Sequence, residues 1–302
     1  MIILPMPGCE RLGRIGLAPE VAVGAVEVHR FPDGEARVRL AGALNGEEVI
    51  LVAALDRPDE KILPVLFAAA TARELGAASV GLVAPYLPYL RQDRRFHPGE
   101  GVSARQFAEL LSNSVDWLVT VDPHLHRIHR LSELFDIPAE AVHAAPLLAE
   151  WIREHVDAPL ILGPDAESAQ WVESIARLVD APHAVCRKRR TGDRRVEITL
   201  PDLAAHAGRH PVLVDDVIAS AGTMAAAIKA LRSTGWPAPT CLAVHAVFAE
   251  GAREALRDAG PAAVVTCNTI AHSSNRMNVE PLLAEAVGRL LGPRTAEAIT
   301  TR

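Results

Sequence analysis

Two adjacent aspartates, Asp215 and Asp216, close the apolar run that opens "PVLVDDVIASAGTMAAAIKAL", Pro211 to Leu231. Small residues follow them before a helical pattern begins. In a strand–loop–helix unit, the loop amides and the helix N-terminus together form an anion cradle. Ala219, Ser220, Ala221 and Gly222 let a phosphate approach the backbone, and Thr223 offers a hydroxyl. The two carboxylates can accept hydrogen bonds from vicinal sugar hydroxyls or bind Mg²⁺. The combination suits a sugar phosphate, although paired acids at a strand end also serve as plain helix-capping or turn residues.

Other stretches carry chemistry of their own. "FPDGE" places Asp33, Gly34 and Glu35 in a Pro/Gly turn, which as a bare turn needs no function. "RQDRR" sets Arg91, Arg94 and Arg95 around Gln92 and Asp93, and their planar donor forks match phosphate oxygens. A solvated charged loop is the plainer reading. "DPHLHRIHR" offers Asp122, His124, His126 and His129; an H-x-H with a nearby Asp suits zinc, but no Cys or distant ligand set completes it. Asp165 in "GPDAES" stands where an N-cap is expected. "CRKRRTGDRRVEI", Cys186 to Ile198, predicts a basic hairpin. Such a run is a solvated face, an RNA patch, or a source of positioned Lys and Arg for charge that builds on phosphates as a P–O bond breaks.

The elements that must hold these residues alternate strand and helix, the signature of a parallel α/β sheet. Strands are predicted at 48–55, 79–86, 116–122, 159–165, 212–216, 241–248 and 262–269. Helices are predicted at 62–75, 104–111, 145–155, 166–179, 223–233 and 279–291. "VILVAAL…LFAAATARELGAASVGLVAPYL" and "VLVDDV…AAAIKALRSTGWPAPTCLAVHAVF" repeat strand, loop, helix, Gly, strand. Two related α/β domains are expected, each a mainly parallel sheet flanked by helices, at residues 1–143 and 144–302.

Bulk properties narrow the class. The 302 residues carry a net charge of -6 and are 49% hydrophobic. A sizeable core is expected, and a general nucleic-acid binder is not. Cys9, Cys186, Cys241 and Cys267 form no C-x-x-C pair, which suits a reducing cytoplasm. "MIILPMPGCERLGR" lacks a basic n-region, and the apolar region Leu63 to Leu90 is broken by Arg73, Glu74 and Gly76. Neither a signal peptide nor a membrane span is expected.

The loop after Asp216 resembles the phosphoribosyl-pyrophosphate loop of type I phosphoribosyltransferases and ribose-phosphate pyrophosphokinases. With "FPDGE", "RQDRR", "TVDPHLHRI", "GPDAES" and "CRKRR" in that order, nearly the whole chain resembles the ribose-phosphate pyrophosphokinase family. The resemblance implies two phosphoribosyltransferase-like domains with an active site between them. It implies the conversion of ATP and ribose 5-phosphate to phosphoribosyl pyrophosphate and AMP with Mg²⁺, and homo-oligomers built from dimers, up to a hexamer. It gives Asp33, Gly34, Glu35, Arg91 and Gln92 to ATP, His124 and Asp165 to Mg²⁺, and Lys188 and Arg190 to catalysis. Asp215, Asp216 and Ala219 through Thr223 (Ala219, Ser220, Ala221, Gly222, Thr223) go to ribose 5-phosphate. "PGEGVS", "DDVIASAGT" and Ala166-Glu167-Ser168 in place of paired glycines lean to the archaeal-type branch. Ala219 and Ala221 depart from the acid and glycine that many members carry, and Ala221 would crowd the phosphate if its backbone needs positive φ. A phosphoribosyltransferase would use the same loop without the preceding blocks. A non-catalytic regulatory subunit would be expected to lose Lys188 or His124, and both are present.

Overall fold

Runs such as "EVILV" and "SVGLVA" lack polar alternation, as expected of strands covered on both faces. In the computed structural model, which describes residues 1–19, 21–125, 127–191 and 195–292, these runs form the centres of parallel sheets. The chain divides into two units. One holds Met1–His143 and the segment from Val279 onward, and the other holds Ala144–Asn278.

The first unit contains β1 (Ile2–Pro5), β2 (Ala22–Val23), β3 (Ala25–Arg30), β4 (Ala36–Ala41), β5 (Glu48–Val52), α1 (Pro58–Glu74), β6 (Ser79–Ala84), α2 (Ser103–Ser112), β7 (Trp117–Val121) and β8 (Ala139–Val142). Six strands pair in parallel in the order β2-β1-β5-β6-β7-β8. β3 and β4 form a separate antiparallel hairpin, with β4 against α1. Leu51, Leu82 and Leu118 are fully buried on the central strands, and Ala68, Ala69 and Ala72 of α1 share their core.

The second unit repeats the plan with α3 (Ala145–His155), β9 (Pro159–Gly163), α4 (Ala169–Val179), β10 (His183–Val185), β11 (Arg187–Thr191), β12 (Arg195–Thr199), β13 (His210–Ile218), α5 (Gly222–Ser233), β14 (Thr240–Ala246), α6 (Ala252–Ala259), β15 (Ala263–Cys267) and β16 (Asn275–Met277). Its parallel sheet runs β10-β9-β13-β14-β15-β16, the same order counted from the unit's first sheet strand. An antiparallel hairpin, β11–β12, again leaves after the second sheet strand, and β12 lies against α5 as β4 lies against α1. The hairpin whose turn carries Asp33 and the hairpin whose first strand carries Lys188 therefore occupy matching places in two copies of one design.

The expected second domain, residues 144–302, needs a correction at its far end. α7 (Glu280–Leu291) packs on β7 and β8 of the first unit, where Arg289 pairs with Glu140. Leu283, Ala284, Ala286 and Val287 are its buried stripe. Among the described residues no helix is long and apolar enough to cross a membrane.

Candidate active site

In the second unit the strand order alone gathers three of the expected residues. β9 lies between β10 and β13, so the segments leaving their carboxyl ends are neighbours. Asp165 follows β9, Lys188 follows β10, and Asp215 lies on β13. This is the point where strand order reverses, the usual place for a ligand crevice in an open parallel sheet. Lys188 alternates with the exposed Arg187 and Arg189 along β11, which turns its own side chain inward. Its Nζ stands 2.7 Å from Asp165 Oδ2. Asp165 is a buried N-cap whose Oδ1 accepts a hydrogen bond from the Glu167 amide at 3.0 Å. Ser168 donates its hydroxyl to the Asp165 carbonyl at 2.6 Å. A Cβ on Gly163 would meet Ser168 Oγ at 2.4 Å, so a side chain there would displace the Ser168 hydroxyl. The Arg190 side chain lies outside the described residues.

The strand carrying the paired acids runs on through both of them to Ile218, further than the apolar run suggests. The loop that follows is pinned from outside by two backbone bonds, Phe248 N–H to the Ile218 carbonyl at 2.9 Å and Ala249 N–H to the Ala219 carbonyl at 3.0 Å. No feature of the sequence signals those anchors, because they are main-chain contacts from a different strand end. Ala221 does adopt positive φ, at 60°. Its methyl is buried in the core cluster that includes Ile218, Met224 and Ile228. Gly222, the first residue of α5, faces open space: a Cβ there would meet only Ser220 Oγ, at 3.8 Å. The first turn of α5 therefore offers amides that have no intrahelical partner, beside room for an anion.

Three acidic residues gather here. Loss of water, then the neighbouring charges of Asp216 and Asp165, push the Asp215 carboxyl well above the ordinary carboxylate range. Asp165, Asp215 and Asp216 lie close enough to interact, and such a carboxylate set suits a hard divalent cation, which needs few protein ligands when phosphates and waters supply the rest. Among the described residues no group of three or more His, Cys, Asp or Glu is arranged to hold a metal unaided, and His126 lies outside them. Burial, then the Asp165 charge, pushes the nearby Cys186 thiol up to about 11.

The first unit presents its expected residues on three segments. Asp33, Gly34 and Glu35 form the exposed tip between β3 and β4, with Asp33 Oδ1 accepting from the Glu35 amide at 3.1 Å. Gly34 supplies the φ of 93° that this turn needs. Arg91 and Gln92 lie beyond β6, and Arg91 is exposed while Gln92 is half-buried. Asp93, absent from the expected set, anchors that segment through both oxygens to Arg127 Nη1, at 3.0 and 3.1 Å. His124 follows β7, half-buried. Asp122 of the same motif is buried with φ 36°, its Oδ1 2.8 Å from His143 Nδ1. That contact, working against desolvation, raises the His143 imidazole above its ordinary value.

The first unit's own strand-order reversal is closed. Between β1 and β5, Cys9 Sγ accepts from the Ala54 amide at 3.1 Å, and Lys61 Nζ bridges the Ala54 carbonyl at 2.9 Å and Asp56 at 2.5 Å.

Two family models match successive parts of the chain. Residues 9–114 match the N-terminal domain of ribose phosphate pyrophosphokinase, and residues 130–282 match the phosphoribosyl transferase domain. A ribose-phosphate pyrophosphokinase of Methanopyrus kandleri is 36% identical over 296 residues, 97% of this chain and 100% of the relative. One from Saccharolobus solfataricus is 36% identical over 266 residues, 86% of this chain and 89% of the relative. The crystal structure of phosphoribosylpyrophosphate synthetase from Mycobacterium smegmatis superposes with a TM-score of 0.81 at 25% identity, covering 96% of this chain and 98% of that one.

Proposed function

This chain belongs to the ribose-phosphate pyrophosphokinase family, and we propose that it transfers the pyrophosphoryl group of ATP to O1 of ribose 5-phosphate, giving 5-phosphoribosyl 1-pyrophosphate and AMP. The observation that carries the assignment of roles is the paired acids of β13 leading directly into the open first turn of α5. Asp215 and Asp216 hold the ribose hydroxyls, and Ala219 through Thr223 receive the 5-phosphate. Asp33, Gly34, Glu35, Arg91 and Gln92 hold ATP. O1 forms a bond to the β-phosphorus, and the bond from that phosphorus to the oxygen of the α-phosphate breaks. AMP leaves with the bridging oxygen, and the O1 proton passes to solvent.

Lys188 and Arg190 stabilise the charge that collects on the transferring phosphates. His124 in the first unit and Asp165 in the second would each serve as a Mg²⁺ ligand, and bound Mg²⁺ would supply charge neutralisation and alignment of the phosphate oxygens. The four buried cysteines, none of them in a disulfide, support a reducing cytoplasmic setting, and assembly into a homo-oligomer is part of the same proposal. Incubating the purified protein with ATP, Mg²⁺ and ribose 5-phosphate and separating the nucleotides tests it. AMP is expected, and ADP in its place would contradict it.

A further inference from the structure

The segment after β6 is held by a carboxylate outside the set expected from the sequence. Glu100 Oε2 accepts three hydrogen bonds: from the Phe96 amide at 2.7 Å, the His97 amide at 2.9 Å and Gln92 Nε2 at 3.1 Å. Gln92 Nε2 also reaches the Arg94 carbonyl at 3.2 Å, and Arg95 Nε donates to the Glu100 carbonyl at 3.0 Å. The Arg94 guanidinium lies over the Phe96 ring, 5.0 Å from its centre. One oxygen atom thus fixes the Gln92 amide directly. It also fixes the Phe96 backbone, and with it the ring under Arg94. A carboxylate suits this task because it accepts without donating, and its bonds to amides are charge-assisted.

We propose that Glu100 is a positioning residue for ATP, which shapes residues 92–97 before the nucleotide arrives. The inference rests on the assignment of Gln92 to ATP made above. Preorganisation of this kind acts on binding, because a loop that is already ordered loses little entropy when the ligand arrives. Glu100 touches no reacting atom in this account, so turnover at saturating ATP should not depend on it.

Glu100→Ala and Glu100→Gln test the inference by steady-state kinetics, with amide hydrogen exchange of the nucleotide-free protein as a second readout. Glu100→Ala should raise the KM for ATP about tenfold, the loss of roughly one charge-assisted hydrogen bond. Its kcat and its KM for ribose 5-phosphate should stay within about twofold of wild type. Exchange at Phe96 and His97 should quicken. Glu100→Gln keeps a carbonyl oxygen as acceptor and should recover most of the ATP affinity. Unchanged KM for ATP or unchanged exchange in Glu100→Ala overturns the inference, and so does failure of Glu100→Gln to recover. A fall in kcat and in both affinities together would mark Glu100 as plain scaffold and overturn it as well. In each of these cases wild-type formation of AMP leaves the proposed reaction standing. Absence of AMP from the wild type would remove the reaction and the ATP role together.

Discussion

Lys188 reaches across from β11 to Asp165 at the end of β9, a 2.7 Å ion pair between a largely buried ammonium and a buried carboxylate. The sequence puts these residues on different elements, and the β10-β9 pairing brings their segments side by side. The lysine proposed to act on the phosphates thus rests on the carboxylate proposed to face Mg²⁺.

Lys188→Ala should cut kcat about a hundred- to thousandfold, the usual cost of a lost charged donor to a transition state. Affinities for ATP and ribose 5-phosphate should stay within a fewfold, because the interaction is made mainly during transfer. Lys188→Arg should recover only part, since a planar fork cannot place charge where a compact ammonium does. Steady-state kinetics with direct ATP binding checks this, and near wild-type turnover of Lys188→Ala would return the basic hairpin to a solvated role.

Asp216→Asn keeps shape and removes charge at the sugar site. The KM for ribose 5-phosphate should rise while ATP binding is largely retained. Equal, unchanged kinetics for both substrates would count against the sugar assignment.

Ala221 sets about 1 kcal/mol of left-handed backbone cost against a buried methyl of similar worth. Ala221→Gly should therefore change unfolding free energy by less than about 1 kcal/mol and keep activity. Ala221→Val adds bulk to a packed core at a φ that β-branched residues avoid, and should cost about 2 kcal/mol or more. Urea melts of both variants decide it; a large loss in Ala221→Gly would mean that the methyl holds the loop.

Cys186 gives a pH test. Its folded value is raised to about 11, so the native thiol stays protonated where an unfolded one ionises. Stability from this group is complete below the ordinary thiol range and declines as pH climbs towards 11. Alkylation of Cys186 in native protein at pH 8 should be slow, and fast after denaturation. Rapid native labelling at pH 8 would show the thiol to be exposed.

Much of the fold was legible because apolar runs and small-residue loops alternate so regularly; α3 was bounded to the residue. Among the elements the pattern did not signal, several escaped for identifiable reasons. β1 has only four residues and no usable period. β3 and β4 alternate half-buried and exposed residues in a hairpin outside the parallel sheet, with β4 against α1, so their pattern stood apart from the α/β rhythm. α6 has only eight residues, half of them charged. The place of α7 depends on Arg289 meeting Glu140, 149 residues earlier, which no local pattern records. In the site, the role proposed for Asp215 and Asp216 rests on residue type and position in the sequence. Lys188, Asp165 and His124 drew their expected roles from resemblance, and Glu100 stayed hidden because its partners are mostly backbone amides.

The central claim is transfer of two phosphates as one unit, and the fate of labelled ATP tests it most directly. With ribose 5-phosphate, Mg²⁺ and ATP labelled at the β-phosphorus, the label should move to the sugar product as AMP forms in equal amount. Label retained in ADP, with only the γ-phosphate transferred, would contradict the account.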